Sequence, residues 1–292
     1  MEVEQQMKNG WMNPKSSTYG IVNISVANMR AQPIFQSELV NQVVLGTILP
    51  IYEAQNDFYY VQSPDGYWGW VNHHSVAKCD ATYAREWKEA SYVMVIGNYG
   101  IVRKGVYHNT EVLTDLVTGA ILNKLDEESN FVKVRLPDRK TGYVEKSLVI
   151  HKTEQQKMIP TRTNIIKMSK KFLGIPYLWG GNSSRGFDCS GFVQTVFRLM
   201  NVKLPRDARQ MAEVGMEVPL THNLENLRIG DLLFFGKTLQ RITHVALYLG
   251  NHLFIHAEGK VRINSLAPES KIYNEHRRET LLKAQRIVNL ET

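Results

Sequence analysis

The sequence predicts two small all-β barrels followed by a larger α+β domain, and three observations carry that class. Residues 45–71, LGTILPIYEAQNDFYYVQSPDGYWGWV, align without gaps onto residues 118–144, TGAILNKLDEESNFVKVRLPDRKTGYV, at a shift of 73 residues. A repeat of this length means a duplicated structural unit. Inside each copy, short β-branched and aromatic runs such as YYVQS and VKVRL end at Pro-Asp turns, and no long helical period appears. From about residue 160 the pattern changes to apolar residues at helical spacing, a Gly-rich loop, a second helix and then three strands.

The elements follow in order. In the repeat, Gly46 matches Gly119, Phe58 matches Phe131, Val61 matches Val134, Pro64-Asp65 matches Pro137-Asp138, and Gly69-Trp70-Val71 matches Gly142-Tyr143-Val144. Five or so short strands closing on themselves suit each copy. Between the copies, residues 80–95 (DATYAREWKEASYVMV) suit a short helix or an extended connector. Residues 151–164 are polar with one proline and read as a linker. The expected domains are 1–80, a first barrel with an N-terminal extension; 81–152, the connector and second barrel; and 153–292, the linker and third domain.

Composition narrows the classes. The 292 residues are 43% hydrophobic and 22% charged, enough chain for several cores. The net charge of +7 suits an anionic partner, but no long Lys/Arg run exists, so no nucleic-acid partner is expected. No apolar stretch reaches membrane-spanning length. The start, MEVEQQMKNG, lacks the apolar core of a signal peptide. Two readings stay open: a cytoplasmic protein, or one from which a signal has been removed. A monomer is expected. Cys79 and Cys189 are too few for a disulfide framework and are read as free thiols, Cys79 as structural. No zinc spacing and no phosphate loop are present, so neither a metal nor a cofactor is expected.

In the third domain, Thr161 and Asn164 are candidate caps for a helix carrying Ile165, Ile166, Ser169 and Phe172, stopped by Gly174 and Pro176. After the loop WGGNSSRGFD, Asp188 caps the next helix and Cys189 falls in its first turn, with Phe192, Val193, Val196, Phe197 and Met200 on the apolar face. Unpaired N–H groups and partial positive charge at a helix front favour a thiolate, the attacking form of cysteine. A small cysteine buried on a core helix fits the same residues equally well. Downstream, THVALYLG and HLFIHAEG form a hairpin bearing His244 and His256. A two-residue turn at Gly250-Asn251 would put these histidines on opposite faces. A three-residue loop, Leu249 to Asn251, would set them directly opposite on one face, and this second arrangement is expected. One histidine then serves as base and the other orients it.

Five stretches, GIPYLWGGNSSRGFDCSGFVQTVF, LPRDARQM, LRIGDLLFF, THVALYLGN and FIHAEG, occur in the order found in NlpC/P60 cysteine peptidases, which this domain resembles. The resemblance implies an α+β papain-like catalytic domain acting on cell-wall peptides. It places the nucleophile on Cys189, the general base on His244 and the orienting residue on His256. It also places Tyr177 at an oxyanion hole completed by the Cys189 backbone N–H. Residues 18–78 and 95–150 resemble bacterial SH3-like (SH3b) domains.

The full arrangement resembles γ-D-glutamyl-L-diamino acid endopeptidases, whose first SH3b domain borders the substrate cleft and reads the free amine of L-Ala. That carries substrate contacts onto Glu38 and Tyr67, and within the third domain onto Trp179, Asp188, Ser190, Arg206 and Asp207. Ala208 stands where the family often has Ser, which removes one side-chain hydroxyl. The blander alternatives are a solvated Glu38, a surface ion pair between Arg206 and Asp207, and a tight connection at Trp179-Gly180-Gly181. The implied partners are peptidoglycan-derived peptides. Two rival functions stay open: a wall-binding SH3b protein without catalysis, and an amidase or acyltransferase on the same fold.

Overall fold

The computed structural model describes residues 17–287. The expected N-terminal extension, residues 1–16, lies outside them. The chain divides into two compact units, Met1–Gln155 and Gln156–Thr292.

The first unit holds two seven-stranded antiparallel sheets. One contains β1 (Thr18–Val22), β2 (Val26–Arg30), β3 (Leu39–Val44), β4 (Ile48–Gln55), β5 (Phe58–Gln62), β6 (Trp68–Asn72) and β7 (Val76–Asp80). The other contains β8 (Tyr92–Val95), β9 (Gly100–Arg103), β10 (Val112–Leu116), β11 (Ile121–Glu128), β12 (Phe131–Arg135), β13 (Thr141–Glu145) and β14 (Val149–His151). The strand orders, β3-β2-β6-β5-β4-β1-β7 and β10-β9-β13-β12-β11-β8-β14, are the same order shifted by seven strands. The repeat extends to fine detail. A bulge interrupts β4–β5 between Ile51 and Glu53, and β11–β12 between Lys124 and Asp126, the same place in the two copies. Gly46 and Gly119 both have φ of +87°, a conformation that favours glycine.

Each sheet closes on an apolar core: Val22, Met29, Leu49, Val61 and Val71 in the first, Val93, Val102, Leu122, Val132 and Val144 in the second. The cores are not independent. Leu45, from the first sheet's side, is buried among the second sheet's core residues. The connector is a helix, α1 (Ala81–Glu89), capped by Asp80, whose carboxylate accepts the Tyr83 N–H at 2.8 Å. Trp87 on α1 is buried and donates its indole N–H to the Gly46 carbonyl at 3.0 Å, while Asn123 donates to the Trp87 carbonyl at 3.1 Å. Helix and Leu45 together pin one sheet to the other.

The second unit is built on one antiparallel sheet. Its strands are β17 (Met216–Glu217), β18 (Leu232–Gly236), β19 (Ile242–Gly250), β20 (Leu253–Glu258), β21 (Lys260–Ser265) and β22 (Leu281–Arg286), in the order β17-β22-β18-β19-β20-β21. A two-residue pair, β15 (Asn182–Ser183) and β16 (Gly186–Phe187), precedes it. Helix α2 (Arg162–Lys170) starts at Thr161, whose hydroxyl accepts the Asn164 N–H at 3.1 Å. Helix α3 (Cys189–Leu199) packs against β19 and β20. Its interior is aromatic: Phe172, Phe187 and Phe192 meet edge to face at 5.1–6.3 Å. No helix among the described residues is long and apolar enough to cross a membrane.

Candidate active site

The front of α3 is fixed by a buried carboxylate. Asp188 caps the helix by accepting the Gly191 N–H at 2.7 Å and takes the Gly180 N–H at 3.1 Å. Arg206 grips both of its oxygens, at 3.0 and 2.5 Å, and also donates to the Ser190 hydroxyl at 2.8 Å. Ser190 in turn donates to Asp188 at 3.2 Å. Arg206 is 2% exposed and Asp188 8%, so this is a buried, bidentate ion pair. The blander reading of Arg206 as a surface residue does not hold, because its guanidinium is buried against Asp188. Gly181 and Gly191 complete the packing: a Cβ on Gly191 would come within 2.1 Å of the Gly181 carbonyl oxygen. That contact draws the 177–187 segment against the helix front.

Cys189 follows as the first residue of α3, 7% exposed, and neither it nor Cys79 is in a disulfide. The backbone of Ser190, and that of Val245 next to His244 on β19, lie near enough to the sulfur to favour its charged form. Burial, then the Asp188 carboxylate, pushes the thiol from an ordinary value near 9 up to about 11. The helix front was expected to favour the thiolate. Burial wins because a helix terminus is worth about 0.3–1 kcal/mol, while a rise of this size corresponds to roughly 3 kcal/mol.

His244 and His256 lie on one face, Nε2 of His244 2.8 Å from Nδ1 of His256 with the rings nearly perpendicular. They are not directly opposite. The register pairs Leu247 with Ile255 and Tyr248 with Phe254, then shifts before Gly250 pairs with Leu253. Continued along the strands, it sets His256 across from Ala246, diagonal to His244. A diagonal spacing is within reach of long or aromatic side chains. The turn residues are Asn251 and His252, with φ of +50° and +60°, the signature of a type I′ hairpin. The expected loop was displaced by that turn together with a bulge at Leu249.

Behind the pair, His256 Nε2 lies 3.0 Å from Asn264 Oδ1 and 3.9 Å from Glu258. Arg262, at 2.6 Å, and Arg277 both clasp Glu258. Burial pushes His256 down to about 4 despite the Asn264 hydrogen bond, and burial followed by Arg277 holds His244 well below the ordinary imidazole value. These directions favour the uncharged thiol and uncharged imidazoles.

Tyr177 is held by its N–H to the Gly259 carbonyl at 2.9 Å and by a bridge to Phe187. Burial, then the neighbouring Cys189, raises its hydroxyl to about 12, so the phenol stays a donor. Trp179 is 64% exposed, and Asp207 precedes the short helix Ala208–Met211. Glu38 and Tyr67 belong to the other unit, Glu38 exposed before β3 and Tyr67 half-buried before β6. Asn264, Glu258, Arg262 and Arg277 were not anticipated. Three of the four were within reach of the strand pattern: with a tight turn at Gly259, alternation pairs His256 with Arg262 and brings Glu258 and Asn264 to the same face. Arg277 arrives from the distant helix Glu275–Glu279.

A cysteine at a helix front beside a histidine pair is the constellation of a thiol hydrolase. The NlpC/P60 family model matches residues 174–284, and a bacterial SH3 domain model matches residues 25–77. The chain is 34% identical over 170 residues to the murein DD-endopeptidase and LD-carboxypeptidase of Escherichia coli, covering 54% of this chain and 87% of that protein. It is 29% identical over 269 residues to dipeptidyl-peptidase 6 of Lysinibacillus sphaericus, covering 87% and 94%. It is 31% identical over 198 residues to the γ-D-glutamyl-L-lysine dipeptidyl-peptidase of Bacillus subtilis, covering 67% and 62%. An NlpC/P60 family protein from Bacillus cereus has the same fold, with a TM-score of 0.80 and 23% identity over 93% of this chain and all of that one. The chain belongs to the NlpC/P60 family, and it is a cysteine peptidase with a bacterial SH3 domain before its catalytic domain.

Proposed function

We propose that this peptidase hydrolyses the amide between the γ-carboxyl of D-Glu and an L-diamino acid, diaminopimelate or Lys, in short cell-wall peptides with a free N-terminal L-Ala. The observation that carries the reading is the 2.8 Å His244–His256 contact beside a buried helix-front thiol. Cys189 passes its proton to His244 and attacks the γ-carbonyl. The C–N bond breaks, the amine leaves with the proton from His244, and water hydrolyses the thioester. His256 orients His244. The Tyr177 hydroxyl and the Cys189 N–H face the oxyanion.

The linkage is supported by relatives named for γ-D-glutamyl-L-lysine cleavage. Similarity to dipeptidyl-peptidase 6 reaches 87% of the chain, whereas similarity to the murein DD-endopeptidase reaches 54%. The longer match favours a dipeptidyl-peptidase over cleavage between D-residues. We assign the second sheet of the first unit as another SH3b domain, on its shared strand order, with domains at 1–80, 81–152 and 153–292. Glu38 and Tyr67 are assigned to the L-Ala amine, and Trp179, Asp188, Ser190, Arg206 and Asp207 to the peptide. For Asp188, Ser190 and Arg206 the role runs through shaping the helix front, since their side chains bond one another.

The test is incubation with L-Ala-γ-D-Glu-meso-diaminopimelate and with its L-Lys counterpart. Release of L-Ala-D-Glu from either supports the reading, and N-acylation of L-Ala should abolish it. No product from either, with product from a D,D-linked peptide instead, sinks it.

A further inference from the structure

The geometry points to Asn264 as a positioning residue that fixes the tautomers of both histidines through one chain of hydrogen bonds. The inference rests on the reading of Cys189 and His244 as nucleophile and base, and extends it to a residue two strands away.

The chain of hydrogen bonds starts at the Ile272 carbonyl, which can only accept. Asn264 Nδ2 lies 3.1 Å from it, so the amide orientation is set: nitrogen toward Ile272, oxygen toward His256. Asn264 Oδ1 can then only accept, so His256 Nε2, 3.0 Å away, carries the hydrogen. In a neutral imidazole this leaves a lone pair on Nδ1. That nitrogen faces His244 Nε2 at 2.8 Å, which must therefore be the donor. Neutral His244 is left with its lone pair on Nδ1. This is the one nitrogen of the ring not engaged by His256, and it is able to take a proton from the thiol.

The opposite tautomers fail at both ends. A hydrogen on His256 Nδ1 would set the Nε2 lone pair against the Asn264 oxygen. It would also require His244 to carry its hydrogen on Nδ1, and a donor there accepts nothing from Cys189. When the thiol proton moves to His244 Nδ1, sulfur becomes thiolate and His244 becomes imidazolium with hydrogens on both nitrogens. Its Nε2–H stays donated to His256, which remains neutral throughout. Glu258, 3.9 Å from His256 Nε2 and clasped by Arg262 and Arg277, lies on the same side and reinforces the same assignment.

The experiment is long-range proton–nitrogen NMR of ¹⁵N-histidine-labelled full-length protein at neutral pH, alongside steady-state kinetics of variants. The wild type should show His244 and His256 as Nε2–H tautomers. Asn264→Leu should release His256 into a mixture and lower kcat by up to about 10⁴-fold, the scale of a wrong tautomer in a nucleophilic triad, with KM little changed. Asn264→Asp keeps an acceptor and should keep the tautomers and most of kcat, even where Asn264→Leu folds poorly. A His256 Nδ1–H resonance in the wild type overturns the assignment. So does a folded Asn264→Leu with unchanged tautomers and kcat. Full activity in Cys189→Ala, with the Nε2–H tautomers present, would instead remove the nucleophile reading and leave the tautomer assignment standing.

Discussion

The two units solve the problem of a small interior differently. In the first, the interior is hydrocarbon: Leu45 and Trp87 fasten one sheet to the other, and the polar contacts there are single neutral hydrogen bonds. In the second, the front of α3 is organised by charge, with Asp188 and Arg206 buried together and Ser190, Gly180 and Gly191 bound to them. Hydrocarbon packing is forgiving, since its strength scales with area and tolerates small shifts in shape. A buried ion pair is unforgiving, because losing one partner strands the other. The rigid solution stands where the proposed chemistry needs a sulfur held in place.

Mutation should separate the two interiors, with the largest effect on turnover. Cys189→Ala is expected to abolish hydrolysis of the γ-D-glutamyl peptide while leaving the thermal melt near that of the parent. Retained activity would dismiss the sulfur. Next, Arg206→Ala should cost about 3–5 kcal/mol by stranding the Asp188 carboxylate, read by urea unfolding of the full chain. A loss under about 1 kcal/mol would show that the pair behaves as a surface contact. Leu45→Ala should cost about 2–5 kcal/mol, but with activity per folded molecule unchanged, which separates the apolar fastening from the polar one.

The smallest effect is on pH dependence. His256 titrates near 4 in the folded protein, below its unfolded value, so the unfolded chain binds more protons between those values. Its contribution is present above about pH 6.5 and is lost as pH falls toward 4. The Cys189 thiol titrates near 11 when folded, so its contribution is present below the unfolded value near 9 and is lost as pH rises toward 11. Stability from this pair should thus be greatest between them. His256→Phe should flatten the acid limb, and an unchanged limb would assign it to the carboxylates.

What the sequence made legible followed local periodicity. The duplication was visible because matched residues such as Gly46 and Gly119 hold the same backbone angle in the two copies. The cap at Asp188 and the placement of Cys189 followed from side-chain chemistry within a few residues. Three things stayed hidden. Leu45 docks across copies, and nothing local distinguishes it from the valines before it. The His244–His256 register turned on a one-residue bulge, which alternation alone does not reveal. The burial of Arg206 against Asp188 is not local in sequence, since a buried arginine needs a partner and this one lies 18 positions away.

Leu45 also bears on how this chain can be divided. A cut after Asp80, natural from the repeat, would pull Leu45 from the second sheet's core and remove the carbonyl that receives the Trp87 indole. The remainder would begin with a bare apolar dent and an orphaned tryptophan. The duplicated sheets are therefore better handled as one piece of about 140 residues, spanning 17–155, than as two interchangeable parts. A chimera that swaps one sheet must carry the Leu45–Gly46 dipeptide along with α1.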